Sequence, residues 1–549
     1  MRRRSMALWL AMGEVELSVK RRDPNFAPSP LQLRPCPLRC SSRMRLATIL
    51  AAMLVVSGCL STSAWHDNSF EEMKAQAEQG DADAQFNLAF MYDEGEGIPQ
   101  DDAAAAAWYR KAAERGHISA QFNLGIMYDE GEGIPQDDAE AAKWYRRAAN
   151  QGFASAQYNL GRMYDDGEGV LLNDAEAAKW YREAARQGVT AAQLNLGIMY
   201  SNGEGVPQDA AEAAKWFRMA AVGGNATAQL KFGLMYDKGE GVPLSDTEAV
   251  KWYRRAAEQG VASAQHNLGL MYDEGEGIPQ DDAEAAAWYR KAAEQGHASA
   301  QLNLGIMYDV GEGVRQDDVE AVKWYRRAAE QGVASAQYNL GVKYDIGEGV
   351  SRNDPEAVKW YRMAADQGHA SAQNNLGTMF RDGEGVPQDS VEAEKRFREG
   401  AEQGNARSQY NLGRMYATGK GVRRDKDQAA MWMRKAAEQG LAESQYDLGN
   451  MYLNGVGVPQ GDDLAVKWMR RAAEQGHAVA QFDLGRMYAN GVAGRSNRVQ
   501  AFAWLLVAGK NHADGASEAR NYVAKQMTAE QIAEASRLGQ EYLEKFKAK

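Results

Sequence analysis

Carboxylates crowd the turns of this chain. Asp93-Glu94-Gly95-Glu96-Gly97 is followed by Asp101-Asp102, and similar runs recur downstream. Glycine among clustered acids could hold calcium, which takes about six to eight oxygens. The ordered oxygen ligands that close on a distal Glu in an EF-hand are missing, so these acids read as turn residues and helix N-caps, and no metal is expected. His117, His297, His369 and His477 each follow a recurring glycine. They lie far apart in a repeating pattern, so they cannot converge on one ion and read as turn residues. The three cysteines, Cys36, Cys40 and Cys59, all precede that pattern. The body of the chain therefore offers no thiol nucleophile and no disulfide. Cys36 and Cys40 have too few neighbouring ligands for a metal site. No nucleophile, base and orienting group can be assembled, and neither catalysis nor a cofactor is expected.

The elements behind these residues follow from one period. Twelve glycines, from Gly80 to Gly476, recur every 36 residues without insertion or deletion. A period of this size marks a solenoid. Residues 261–296 show one unit. Ala264, Leu268, Met271 and Tyr272 give the three-and-four spacing of an amphipathic helix over Ala262 to Asp273, here helix A. Gly269 inside it costs about 1 kcal/mol against Ala, so it reads as a site of close helix approach. Glu274 to Gln280 holds two glycines and a proline and must turn. Asp281 and Glu284 form a capping box for helix B, which runs to about Glu294 with Trp288 and Tyr289 as bulk. Gly296 reads as its left-handed C-terminal cap. The tryptophans Trp144, Trp180, Trp252, Trp288, Trp324 and Trp360 share one register and read as core, not as a platform for stacking bases.

Ala264-Gln265-His266-Asn267-Leu268-Gly269-Leu270-Met271-Tyr272, Gly275-Glu276-Gly277-Ile278-Pro279 and Ala286-Ala287-Trp288-Tyr289 through Gly296 resemble the Sel-one-like repeat, a relative of the tetratricopeptide repeat. The resemblance implies an all-α superhelical solenoid of helical hairpins. Twelve repeats are expected over residues 81–512. Residues 59–80 should supply a linker and an N-terminal capping helix, and residues 513–549 C-terminal capping helices. Thr528-Ala529-Glu530-Gln531 is another capping box, opening a final helix to about Phe546.

Two positions on helix A vary while their neighbours repeat. One holds Tyr158, His266, Tyr410, Tyr446 and Phe482; four residues later stand Arg162, Leu270, Arg414, Asn450 and Arg486. A separation of four places both on one stripe. Similarity to tetratricopeptide repeats implies that this stripe lines the concave groove. Aromatic and Arg anchors dominate recognition surfaces, so Tyr158, Arg162, Tyr410, Arg414, Tyr446, Asn450, Phe482 and Arg486 are candidate partner-binding residues. The same aromatics could instead pack between adjacent A helices. Sequence variation alone does not separate the two.

The N-terminus carries a targeting signal. Arg43 and Arg45 flank Met44, and residues 46–56 are uncharged. Eleven residues are too few to span a bilayer but suit a signal peptide. Val56-Ser57-Gly58-Cys59 resembles the bacterial lipobox, which implies a signal peptide over 44–58 and lipidation of Cys59. Leu60 in place of Asp after the Cys implies the outer membrane, facing the periplasm. Residues 1–43, rich in Arg and Pro, are expected to be disordered or to precede the true start at Met44.

Because residues 1–43 are net basic, the rest is more acidic than the whole-chain charge of −12, which argues against nucleic acid. The expected function is a non-enzymatic scaffold binding a protein or peptide of the cell envelope, tethered to the membrane at Cys59. The rival is a hydrolase or ligand-binding protein like cysteine-rich relatives associated with β-lactams. Those carry a Cys pair in each repeat, and this chain has none there.

Overall fold

The computed structural model describes residues 68–547, except 493 and 495. The signal segment, Cys59 and residues 1–43 lie outside the described residues. Among those described, every regular element is an α-helix, the all-α solenoid that the period predicts. Helix α1 (Asn68–Gln79) precedes a series of hairpins that begins with α2 (Ala82–Glu94) and α3 (Asp102–Glu114) and ends with α24 (Ala478–Asn490) and α25 (Arg498–Lys510). Each A helix packs against its own B helix and the B helix before it. Two further helices, α26 (Ala516–Ala524) and α27 (Ala529–Lys547), close the C-terminal end.

Local signals set each hairpin. In the unit at 262–297, helix A is α12 (Ala262–Glu274) and helix B is α13 (Asp282–Glu294). The Asp281 carboxylate accepts the Glu284 N–H at 3.1 Å and starts α13. Gly296, at φ +90°, ends it. The Gly296 N–H donates to Ala293 O and the His297 N–H to Ala292 O, which is the paired bonding of a Schellman cap. The inner glycine is explained by its neighbour. A Cβ on Gly269 would sit 2.7 Å from the Tyr289 ring, which is fully buried. The loop glycine has a different reason. Gly277 has φ +69°, and a Cβ there would collide with the backbone carbonyl of Asp246 in the preceding unit. That close approach seats the loop of one repeat on the N-terminus of the helix B before it.

A buried polar spine runs through the stack. The Gln265 amide donates to Ala257 O at 3.1 Å, at the end of the preceding helix B, and its oxygen accepts from Gln295 at 2.7 Å. The same pair recurs as Gln121 with Gln151, Gln337 with Gln367, and Gln445 with Gln475. Each glutamine satisfies a helix-end carbonyl that packing has removed from water. At the N-terminal end Arg115 stands in the donor's place, and the Gln85 side-chain oxygen is buried without a partner.

Candidate functional site

Helix B shows a broad solvent face, for example Glu284, Ala287, Arg290, Lys291 and Glu294 on α13. Helix A is held between two B helices and its neighbouring A helices, and leaves only a narrow, half-exposed stripe. The second variable position lies on that stripe in most repeats, whereas the first is buried at Phe122, Leu302, Tyr338 and Asn374.

In the N-terminal and middle repeats the second position is mostly apolar. Ile126, Ile198, Leu234, Leu270 and Ile306 are half-buried and pack on the core between units. Arg162 is polar there but turns inward, donating to Asp129 of the preceding repeat at 2.8 Å. Tyr158 packs its ring against Tyr181 at 5.8 Å. These two candidates take part in packing between repeats.

The C-terminal repeats differ. On α20 (Ala406–Thr418) the exposed Arg414 guanidinium lies 5.7 Å over the Tyr410 ring. Burial pushes the Tyr410 hydroxyl up to about 12. On α22 (Ala442–Asn454) Tyr446 stacks on His477 at 4.8 Å and donates its hydroxyl to Asp483 at 3.0 Å. Burial holds the Asp447 carboxyl above the usual carboxylate range, against the pull of the Tyr410 hydroxyl and Arg414. Asn450 lies half-buried one turn from Tyr446. On α24 Arg486 is 58% exposed, 5.6 Å over the Phe482 ring and 3.8 Å from Asp483. The six C-terminal candidates therefore form one surface: half-buried rings as a floor, with Arg414, Asn450 and Arg486 in a row above them. The aromatics pack between repeats and at the same time hold the arginines out.

The capping histidines do more than turn the chain. Nδ1 of His117, His297, His369 and His477 accepts the N–H three residues on at 3.1–3.3 Å, so each is a helix A N-cap. Their rings stack on Phe86, His266, Tyr338 and Tyr446 of the preceding unit at 4.5–4.8 Å. Five of the six tryptophans singled out by register are buried, and Trp288 is half-buried, which fits a core role.

Two features escaped sequence reading. The glutamine spine was hidden because Gln is ordinarily a surface residue. The other is Lys343, a buried ammonium at a register where Met271, Met307 and Met379 stand in other repeats. That break in an otherwise regular Met column was the available signal.

The chain matches the Sel1 repeat in twelve consecutive segments, from residues 82–117 to residues 478–511. It belongs to the Sel1 repeat family. Among solved structures it is similar to c5321, a protective antigen present in uropathogenic Escherichia coli strains and displaying an SLR fold. That similarity is 38% identity over 87% of this chain and 95% of the other, with a TM-score of 0.67. A Sel1 repeat protein from Oxalobacter formigenes is 35% identical over 60% of this chain and 93% of its own, with a TM-score of 0.46. No curated protein matches the sequence. Sel1 repeat proteins are generally protein-interaction scaffolds and typically non-enzymatic.

Proposed function

We infer that this Sel1 repeat protein is a non-enzymatic adaptor that binds a protein or peptide partner along helix A of its C-terminal repeats. The exposure of Arg414 and Arg486, each braced on an aromatic ring, carries this reading. Apolar residues at the same register in most other repeats are used for packing, so the polar row marks a local change of purpose. An arginine held over a ring loses less freedom on binding than a free one and presents both charge and a flat face. An acidic or carboxylate-bearing segment is the complementary ligand. The helix A stripe forms the concave wall of the superhelix in this reading, as in tetratricopeptide repeats.

Affinity capture from the cell envelope tests it. Wild type should retain a partner that the double variant Arg414→Glu, Arg486→Glu loses, while circular dichroism of the two stays the same. Equal recovery by both proteins would overturn the assignment.

The anchor belongs to the same proposal. The lipobox-like Val56-Ser57-Gly58-Cys59 supports cleavage before Cys59 and its acylation, with retention at the outer membrane. Multiple acyl chains give stable anchoring where one gives marginal binding. Cys59→Ser should release the protein from the membrane fraction, and an N-terminal peptide of the mature protein should carry the mass of the lipid.

A further inference from the structure

Charge inverts along the edge formed by the loops between helix A and helix B. Residues 93–102 of the first repeat carry five acids and no base. Residues 417–426 of the tenth carry four bases, Lys420, Arg423, Arg424 and Lys426, and one acid, Asp425. All four cations are exposed, and none makes an ion pair or a side-chain hydrogen bond among the described residues. Asp425 is committed to starting α21 (Lys426–Glu438), where its carboxylate accepts the Gln428 N–H at 3.0 Å. The next loop, residues 453–461, has no charged residue. We propose that the loop of the tenth repeat and the arginine row of helix A form one docking surface for a carboxylate-rich peptide segment of another protein. This surface rests on the helix A assignment above and extends it to the loop edge.

The repeat junction beneath the loop shows what is missing. Two repeats earlier the Lys343 ammonium stands in the junction, bonded to Asp309, to Asp318 at 3.0 Å and to Glu348 at 3.1 Å. Carboxylates are thus the groups with which this frame meets a cation. At the junction of the ninth and tenth repeats the same three positions, each 72 residues on, hold Arg381, Ser390 and Lys420. Gly421 still seats the loop there, since a Cβ on it would lie 2.3 Å from Ser390 O. The frame is retained and its acids are gone. Arg381 finds a counterion in adjacent Asp382 at 2.6 Å. Lys420 and the two loop arginines find none.

The loop continues the helix A row. Arg414 lies one turn before Thr418, the last residue of α20, and the Thr418 hydroxyl donates to Arg414 O at 2.8 Å. Gly419 ends the helix at φ +79°, and Lys420 follows. A segment laid along Tyr410 and Arg414 therefore runs onto Lys420. The rings on helix A offer apolar contact to a peptide, which an inorganic polyanion cannot use. Clustered cations without counterions repel one another, and carboxylates of a ligand relieve that repulsion. The acidic loops of the N-terminal repeats repel the same segment, which confines it to this end of the solenoid.

Fluorescence anisotropy with the purified chain and a fluorescein-labelled oligo-glutamate tests the proposal. Wild type should bind it, bind oligo-glutamine of the same length at least about tenfold more weakly, and lose affinity as sodium chloride is raised. The triple reversal Lys420→Glu, Arg423→Glu, Arg424→Glu should weaken binding at least about tenfold, and so should Arg414→Glu with Arg486→Glu. The control Lys143→Glu, Lys215→Glu, Lys323→Glu makes the same change in net charge as the triple reversal, at exposed helix B positions. It should leave the affinity within about twofold, because exposed charges are screened beyond about 10 Å. Circular dichroism should be the same for all variants. Absence of oligo-glutamate binding to wild type would overturn the proposal. Unchanged affinity in either the loop or the helix A variant would do so too, as would an equal loss in the helix B control. Tighter binding of inorganic polyphosphate than of oligo-glutamate would make the ligand a phosphate polymer and overturn the peptide assignment. A salt-sensitive dimer in analytical ultracentrifugation, dissolved by the loop reversal, would make the acidic loops of a second copy the occupant and overturn it as well. The helix A assignment by itself stands or falls separately, on the affinity capture described above.

Discussion

At the residue scale, glycines that look alike in sequence differ in what fixes them. Gly269→Ala gains helix propensity of about 1 kcal/mol but drives a methyl into the Tyr289 ring, which costs about 1–3 kcal/mol. A net loss of about 1 kcal/mol is expected in urea titration. Ala89 holds this register opposite Tyr109 in the first repeat, so the hairpin can yield a little. Gly277→Ala should cost more, about 3 kcal/mol, because left-handed strain of roughly 1–2 kcal/mol adds to a clash with rigid backbone. A smaller loss for Gly277→Ala than for Gly269→Ala would contradict this packing account. The histidines make stability depend on pH. His266 is enclosed by Tyr289 and His297 and faces Asn267 and Asn303. Burial pushes it down to about 3. A depressed value favours the neutral ring in the folded state. Its contribution is therefore full above the ordinary 6.5 and drains away as pH falls from there toward 3. Asp93 has the opposite sign. Burial raises it to about 6, so its contribution is full below 3.8 and is lost as pH rises through 6. Denaturation midpoints measured from pH 7 to pH 4 should fall less steeply on acidification in His266→Leu, and more steeply in Asp93→Asn.

At the scale of elements, the hairpin is written locally and the stack is not. N-cap, turn and C-cap act within a few residues of themselves, so helix limits can be read directly. The buried glutamines, the Tyr289 contact with Asp273 at 3.3 Å and the seating of Gly277 on Asp246 join residues 8 to 31 positions apart. Single-residue patterns do not show which partner each one meets. The terminal helix illustrates what a missing neighbour requires. On α27, Tyr542 stacks on Trp504 at 4.6 Å and donates to Gln500 at 3.1 Å, while Phe546 lies 5.8 Å from the same indole. These contacts cover an apolar face that the next repeat would otherwise bury. Deleting residues 529–549 should red-shift Trp504 fluorescence and speed amide exchange in α24 and α25. Exchange in α2 and α3 should stay as it was, since each repeat touches only its neighbours.

At the scale of the molecule, one register serves two purposes along the solenoid. Its apolar residues close the seams of the N-terminal and middle repeats, and its polar residues face solvent in the C-terminal ones. Reversing Arg414 and Arg486 should leave the unfolding free energy from urea titration within about 0.5 kcal/mol, because exposed side chains contribute little to stability. Partner recovery is the property those reversals should change. By itself the sequence determined the period, the helical hairpins with their caps, and the column of variable positions, because all of these depend on spacing within one unit. Only the stacked structure decided that Arg162 turns in to Asp129 while Arg414 and Arg486 turn out, and that Lys343 finds three carboxylates. The physical reason is that those outcomes depend on how neighbouring units tilt and press together, which brings residues from adjacent repeats within a few ångströms regardless of their separation along the chain.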